Sequence, residues 1–216
     1  MKKAVIFDFD YTLGDSTGGI VKSAVYALDK LGEEKKTENE IIRTIGLSLE
    51  ETYRVLSGRQ DEEKEKLFRK FFIEKADEVM VLSTELYEDT LSVLEKLKEK
   101  GFGTAIVTTK LNSRIQSILE KFSATHLIDA IVGVEDVKET KPHPEGLFLA
   151  LKKLNLEKEE VYYVGDSYVD AKAAENAQID FIGVLTGTTD RETFEKYKNI
   201  CICNNLKEIY NTVIKI

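Results

Sequence analysis

The chain has 216 residues, which is enough for one large domain or for one domain with a smaller partner. Its 31 Lys and Arg residues against 39 Asp and Glu residues give a formal net charge of −8. That balance argues against a nucleic acid polymer as partner, because such binding needs clustered positive charge. With 42% hydrophobic and 32% charged residues, the composition is typical of a globular protein.

Hydrophobic patterning excludes a membrane span. The longest stretches without a charge, Gly101–Thr109 and Phe181–Thr189, are nine residues long, whereas a spanning helix needs about 20 apolar residues. Asp8 and Asp10 interrupt the apolar run that begins at Ala4, which argues against a signal peptide. We therefore expect a cytoplasmic protein with no membrane partner.

Short apolar runs alternate with helical patterns along most of the chain. The runs that predict buried strands are Ala4–Phe7, Thr104–Val107, Ala130–Val134, Val161–Val164, Phe181–Leu185 and, more weakly, Asn199–Cys203. Between two of them, Ile115, Ile118 and Leu119 form a helical stripe with Asn112 as a candidate N-cap. This alternation predicts an α/β fold with a parallel sheet covered by helices on both faces.

One region breaks the alternation. Residues 16 to about 100 carry only helical patterns, with apolar stripes at Val21, Ala24, Val25, Leu28 and Leu31 and at Leu67, Phe68, Phe71, Phe72, Ala76 and Val79. We predict that residues 16–82 form a helical insertion with its own small core, and that residues 1–15 and 83–216 form the α/β domain. The alternative is that these helices simply pack on the sheet.

Two acidic side chains follow the first predicted strand. Asp8 and Asp10 lie just after it, at the edge of an open parallel sheet where ligands bind. Neighbouring carboxylates repel each other unless a cation lies between them, and a hard divalent ion such as Mg²⁺ prefers oxygen ligands. The alternative is that one Asp caps a turn and the other is solvated.

A second acidic pair follows the predicted strand at Val161–Val164. Asp166 ends that strand after Gly165, and Asp170 lies about one helical turn further on. An N-cap role with a solvated partner is the alternative reading, and it suits Asp170 better than Asp166.

Two further segments could contact an anion. Thr108 and Thr109 end a predicted strand just before a helix and could offer hydroxyl and backbone N–H groups. Lys141 precedes a helix between stiffening prolines and could present a compact positive charge to an oxyanion. Each segment by itself is equally compatible with an ordinary strand end or loop.

Four segments follow one another along the chain: Asp8-Phe9-Asp10-Tyr11-Thr12-Leu13, Thr108, Lys141 and Gly165-Asp166-Ser167-x-x-Asp170. In this order they resemble the four motifs of the haloacid dehalogenase superfamily, in its phosphatase branch. The resemblance spans nearly the whole chain. It implies a Rossmann-like sheet core with helices on both faces plus a small all-helical cap domain. Tyr11 departs from the Gly usual at that position.

The resemblance also implies a mechanism for a phosphate-monoester hydrolase. Asp8 would attack phosphorus and Asp10 would act as general acid and base. Mg²⁺ would be held by Asp8, Asp166 and the backbone carbonyl of Asp10, with Asp170 in a supporting position. Thr108, Thr109 and Lys141 would bind the phosphoryl oxygens.

The sequence indicates the type of reaction more specifically than the substrate. Residues 45–51 resemble a segment of phosphoglycolate phosphatases and related pyrophosphatases, although Ser48 could also be an ordinary N-cap. A sugar-phosphate mutase of this type would carry His where Ile20 stands and Arg after a Gly-x-Ser, where Leu49 stands. We therefore expect a phosphatase for a small phosphorylated metabolite such as phosphoglycolate.

Several alternatives stay open: a mutase, a pyrophosphatase or nucleotidase of the same superfamily, or a Mg²⁺-binding regulatory protein without turnover. The sequence is silent on oligomeric state. The chain's two cysteines, Cys201 and Cys203, are too few for a disulfide framework and too close in sequence for an easy bridge. We expect them to be packing residues; half of a soft-metal site is the minority alternative.

Overall fold

The computed structural model describes residues 2–215. Within that range the strands are β1 Ala4–Phe7, β2 Gly14–Asp15, β3 Glu85–Leu86, β4 Gly103–Val107, β5 Ala130–Val132, β6 Val161–Gly165, β7 Asp180–Val184 and β8 Cys201–Cys203. The helices are α1 Thr17–Lys30, α2 Glu38–Ile42, α3 Leu49–Ser57, α4 Glu62–Ser83, α5 Thr90–Glu99, α6 Asn112–Lys121, α7 Glu145–Leu154, α8 Tyr168–Ala177, α9 Arg191–Phe194 and α10 Leu206–Val213.

Six of the strands form one parallel sheet in the order β5-β4-β1-β6-β7-β8. β1 is central, so that Ala4 pairs with Gly103 on one side and with Val161 on the other. The strand order reverses on the two sides of β1, and in open parallel sheets ligands bind at such a point, beyond the carboxyl ends of the strands. The predicted α/β fold class is confirmed.

Both faces of the sheet are covered because the central strands are apolar throughout. Ile6, Val107 and Tyr163 belong to one buried cluster that includes Leu147 of α7 and Ala174 of α8. Since successive side chains of a strand point to opposite faces, the intervening residues of β1, such as Val5 and Phe7, are buried on the other side, where α5 and α10 pack.

Several element boundaries differ from those expected, among them the end of β5 and the start of α6. β5 ends at Val132 rather than Val134, because Val134–Asp136 forms a single 3₁₀ turn in which the carboxylate of Asp136 accepts the Gly133 N–H. The Asn112 N-cap prediction is also wrong: Leu111 holds that position, and Asn112 lies inside the first turn of α6.

The chain divides into two compact units. The α/β unit comprises the chain up to Asp15 and from Leu86 onward, and the helical unit comprises Ser16–Glu85. The helical unit contains α1 to α4, and α4 continues to Ser83. Its role as a cap stays a prediction.

The helical unit has its own apolar core. Members of that core come from all four helices and include Ala24, Leu28, Ile41, Tyr53, Phe68 and Phe72. The predicted stripes were too wide, since Val25 and Leu67 are 46% and 42% exposed. Side chains cap α2, α3 and α4: Thr37 and Ser48 each form a capping box, and Asp61 accepts two backbone N–H groups of α4.

Candidate active site

Asp8 and Asp10 are positioned by a turn that follows β1. The Asp8 N–H still donates to Val164 of β6, at 2.8 Å, which extends the sheet pairing by one residue. The chain then folds back, with the N–H of Leu13 donating to the carbonyl of Phe9 at 2.9 Å. Both carboxylates are buried, Asp8 being 4% and Asp10 8% exposed.

The turn explains why glycine is the usual residue at position 11, where this chain has Tyr. Tyr11 has φ +61°, in the left-handed region that glycine occupies at low cost and that a bulky side chain rarely adopts. The Tyr11 N–H donates to the Gly14 carbonyl, and its own carbonyl accepts the hydroxyl of Thr186. These bonds hold the turn in a conformation for which Gly is the less strained choice.

Lys141 lies between two of the predicted carboxylates. Its Nζ donates to Oδ1 of Asp8 and to Oδ1 of Asp170, both at 2.6 Å, and the side chain is 6% exposed. Burial disfavours the ammonium charge, yet the carboxylates of Asp170 and Asp8 outweigh it and raise the pKa of Lys141 above its usual range. The lysine therefore stays charged inside the protein.

Asp170 is fixed from several directions. Its Oδ1 accepts the hydroxyl of Tyr163 at 2.6 Å, and its Oδ2 accepts the hydroxyl of Ser167 at 2.5 Å and the Ser167 N–H at 3.1 Å. Ser167 is in turn the N-cap of α8. Gly165 is required beside it, since a Cβ at that position would lie 2.5 Å from Cβ of Asp170.

Asp166 completes an acidic cluster with Asp8 and Asp170. Ligand oxygens of the three side chains lie within 4.8 Å of one another, and all three residues are buried. Asp166 accepts the hydroxyl of Thr12 at 3.2 Å. Among residues 2–215 this is the one group of three or more acidic, His or Cys side chains that is compact enough to hold an ion.

Lys141 offsets only part of the negative charge of the cluster. Burial raises the pKa of Asp8 to about 7, aided by the charges of Asp170 and Asp10 and opposed by Lys141. Burial, Asp170 and Asp8 likewise raise the pKa of Asp166 well above its usual range. Buried carboxylate oxygens gathered in this way fit a hard divalent ion such as Mg²⁺.

Thr108 and Thr109 lie at the end of β4, on the same edge of the sheet. The Thr108 N–H donates to Val132 of β5 at 3.0 Å, and its hydroxyl accepts the Lys110 N–H at 3.2 Å. Thr108 is 6% exposed and Thr109 is half-buried. The fold thus brings β1, β4 and β6 with their predicted site residues to one edge.

Lys110 is a site residue that the sequence reading missed. Its Nζ donates to Oδ2 of Asp10 at 2.5 Å, and the side chain is 7% exposed. Oδ1 of Asp10 is buried without a hydrogen-bond partner among the residues that the structure describes. The available signal was position: Lys110 directly follows Thr108 and Thr109, at the sheet edge where ligands bind.

The segment after β7 was missed as well. A Cβ on Gly187 would lie 1.8 Å from Oδ2 of Asp166, so that only glycine lets this backbone approach the carboxylate. Thr189 accepts the N–H of Tyr168, which begins α8, at 3.0 Å. A Gly shortly after a buried parallel strand was the signal for such a close approach.

Between residues 2 and 215 no helix combines the length and the apolar character that crossing a bilayer requires.

A model of the haloacid dehalogenase-like hydrolase family matches residues 5–184. The chain is 33% identical over 195 residues to pyrophosphatase PpaX of Bacillus velezensis, covering 90% of this chain and 88% of that protein. It is 28% identical over 212 residues to pyrophosphatase PpaX of Bacillus mycoides, covering 98% and 97%.

Solved structures show the same architecture. A haloacid dehalogenase-like hydrolase from Bacteroides fragilis superposes with a TM-score of 0.94 at 40% identity, covering 97% of this chain and 100% of that one. A structure described as a predicted phosphoglycolate phosphatase from Haemophilus somnus superposes with a TM-score of 0.86 at 27% identity, covering 98% of each chain.

Proposed function

Because the chain belongs to the haloacid dehalogenase-like hydrolase family and is a hydrolase of the phosphatase type, we propose that it is a Mg²⁺-dependent enzyme that hydrolyses a small phosphorylated metabolite through an aspartyl-phosphate intermediate. The observation that carries the proposal is the buried cluster of Asp8, Asp166 and Asp170 around Lys141. Phosphoryl transfer needs chiefly positioning and charge stabilisation, which this cluster can supply.

The residues of the cluster fit a divalent ion. Both oxygens of Asp170 already accept hydrogen bonds from protein groups, so the carboxylates of Asp8 and Asp166 are the better direct ligands, together with the backbone carbonyl of Asp10. Asp170 would then orient Lys141 and support the site from behind. The ion, when bound, would supply positive charge that offsets the charge of an anionic substrate.

Asp8 would be the nucleophile. It lies at the end of the central strand, held there by its own N–H bond to β6 and by Lys141. Attack by its carboxylate on phosphorus would form a transient aspartyl phosphate and expel the leaving oxygen. The charge of Lys141 would lie beside the phosphoryl oxygens, and Thr108 and Thr109 would contact them from β4.

Asp10 would move the proton. It would donate a proton to the leaving oxygen in the first step and then accept one from the water that hydrolyses the aspartyl phosphate. Its carboxylate is oriented by Lys110 through Oδ2, while Oδ1 has no partner among the described residues and is available to a reacting group.

Phosphoglycolate is our first candidate substrate, supported by residues 45–51 and by the Haemophilus somnus structure. Pyrophosphate is the second candidate. It is supported by the relatives named pyrophosphatase and by Lys110, whose charge beside Asp10 would suit a leaving group that is itself a phosphate. We further propose that the helical unit serves as a cap that sets substrate choice.

Hydrolysis assays test the proposal directly. Purified protein with Mg²⁺ should hydrolyse p-nitrophenyl phosphate, and a panel containing phosphoglycolate, pyrophosphate and nucleoside monophosphates should identify the preferred substrate. Exhaustive chelation and the Asp8→Asn variant should each abolish turnover. Activity that survives chelation would contradict the metal requirement, and no hydrolysis of any substrate would favour a Mg²⁺-binding regulatory protein.

The role of Asp10 has its own test. The Asp10→Asn variant cannot exchange a proton at that position but keeps the backbone carbonyl that would contact the ion. Turnover should therefore fall far more than Mg²⁺ affinity measured by calorimetry. An equal loss of both would mean that Asp10 acts mainly on the metal.

A further inference from the structure

The two cysteines of the chain lie side by side on the edge strand of the sheet. Cys201 and Cys203 are two residues apart in β8, so their side chains point to the same face of that strand. Their sulfur atoms are 3.3 Å apart, and both approach Oγ1 of Thr212 in α10, at 3.7 and 4.0 Å. The expectation that they are mere packing residues does not account for this pairing.

A local contraction of the backbone would allow the two sulfurs to be joined, since they already lie 3.3 Å apart. A parallel strand rises about 3.3 Å per residue, so the Cα atoms of residues two apart are separated by about 6.6 Å. Disulfides connect Cα atoms that are roughly 4.4–6.8 Å apart and Cβ atoms that are roughly 3.5–4.5 Å apart, so the two Cβ atoms on this strand must move closer together as the bond forms. Within residues 2–215, β8 is the edge strand of the six-stranded sheet and is paired with β7, so its backbone can contract without breaking a second strand pairing.

The two thiols differ in access and in acidity. Cys203 is 3% exposed, whereas Cys201 is half-buried and can be reached from solvent. Hydrogen bonding from the Cys203 thiol lowers the pKa of Cys201 to about 6, opposed by burial and by the charge of Glu208. The same hydrogen bond and burial raise the pKa of Cys203 above its usual range while Cys201 is ionised. A partly exposed thiolate beside a second thiol is the arrangement found at redox-active cysteine pairs.

A metal site is less well supported. Structural zinc sites use four ligands, and the cysteine pair is not part of any group of three His, Cys, Asp or Glu ligands within the described range, residues 2–215.

We propose that Cys201 and Cys203 form a redox-active dithiol that closes reversibly to a disulfide by exchange with a low-molecular-weight disulfide. The Cys201 thiolate attacks one sulfur of that reagent, and the other half leaves as a thiolate. Cys203 then loses its proton and attacks the Cys201 sulfur, forming the Sγ–Sγ bond and expelling the second half. The cysteines lose two electrons and two protons, and the reagent is reduced to two thiols.

The chain's cysteine content makes the test simple, because Cys201 and Cys203 are its only thiols. Folded protein is incubated with oxidised glutathione, quenched with acid and alkylated, and its intact mass is measured. The wild-type monomer should lose both free thiols and two hydrogen atoms without retaining glutathione, and dithiothreitol should restore both thiols. This readout does not depend on phosphatase activity, so a negative result would leave the proposed function unaffected.

Single variants separate the roles of the two thiols. Cys203→Ser should retain one glutathione on Cys201, and Cys201→Ser should react at least about tenfold more slowly because Cys203 is buried. Wild-type protein that keeps both thiols, accumulates the glutathione adduct or couples into dimers would overturn the proposal. Disulfide formation that is equally favourable in denaturant would overturn it too, since the folded strand would then contribute nothing.

Discussion

Lys110 and Asp10 form a buried ion pair in which Nζ and Oδ2 are 2.5 Å apart, although the two residues are separated by 100 positions in the chain. The pair orients one oxygen of Asp10 and leaves the other without a partner in the described part of the chain. It therefore connects the segment after β4 to the residue that we propose as general acid.

Replacing this lysine tests the connection. Lys110→Met should lower kcat/KM by about 10- to 100-fold, because a misplaced acid delivers its proton poorly. The loss should be larger for phosphoglycolate than for p-nitrophenyl phosphate, whose leaving group needs less protonation. Exposed Lys207 provides the control, since Lys207→Met should change neither rate. Equal losses on both esters would show that Lys110 acts on the substrate rather than through Asp10.

Gly187 offers a test of the Asp166 position. In Gly187→Ala the new Cβ would overlap Oδ2 of Asp166 and force the carboxylate or the loop to move. We expect Mg²⁺ affinity, measured by calorimetry, to weaken about 10- to 100-fold. Gly18→Ala is the matched control, because the nearest atom outside its own helix would be 3.9 Å from the new Cβ. Unchanged affinity in Gly187→Ala would argue against Asp166 as a ligand.

Tyr163 stabilises the charged cluster from inside the sheet. Tyr163→Phe removes the hydroxyl that donates to Asp170 and accepts from Lys141 at 3.2 Å. Because a hydrogen bond to a charged group is lost, the free energy of unfolding in urea should fall by about 1.5–3 kcal/mol. Tyr162→Phe, in the same strand and equally buried, should cost less because its hydroxyl lies outside this cluster. Equal losses of unfolding free energy in the two variants would show that the effect comes from packing.

The helical unit contains a pH-dependent ion pair. Arg54 donates to both oxygens of Glu65, at 2.8 and 2.7 Å, and these bonds hold the pKa of the Glu65 carboxyl below its ordinary 4.5. A depressed folded pKa adds stability that is present above 4.5 and is lost as pH falls through the folded value. Glu65→Gln should thus lower Tm at pH 7, and its difference from wild type should shrink in acid.

An exposed carboxylate on the same helix checks that assignment. Glu63→Gln should alter Tm little at either pH, because Glu63 is exposed and lies outside the Arg54 pair. If the Tm difference of Glu65→Gln stayed constant with pH, the ion pair would not be its source.

The acidic residues of the site could be found in the sequence because each follows a buried strand. Asp8, Asp10 and Asp166 come directly after apolar runs that parallel pairing brings to one edge. The strand order was not needed to group them. Chain position relative to a strand end was sufficient.

The partners of Tyr163, Lys110 and Gly187 required information that the local sequence pattern does not contain. Tyr163 occurs in an apolar strand, and its role depends on which sheet face meets α8. Lys110 contacts Asp10 because β4 is the immediate neighbour of β1. Gly187 approaches Asp166 because β7 is paired with β6. These relationships follow from register and neighbouring strands rather than from local pattern.

The wrong expectation at Asn112 has a similar origin. Its side chain donates to the Ile131 carbonyl at 3.3 Å and to Asp136 at 3.1 Å, contacts with a neighbouring strand and turn that outweigh the local capping preference. The local capping preference of a residue predicts the first residue of a helix well only when no tertiary partner competes for the same side chain.

The two lysines at the site affect how turnover depends on ionic strength. Four carboxylates, of Asp8, Asp10, Asp166 and Asp170, accompany two ammonium groups, of Lys110 and Lys141, and each of the six residues is no more than 8% exposed. A divalent ion would bring these formal charges to neutrality. Because buried charges are screened weakly by dissolved salt, turnover should vary little with ionic strength.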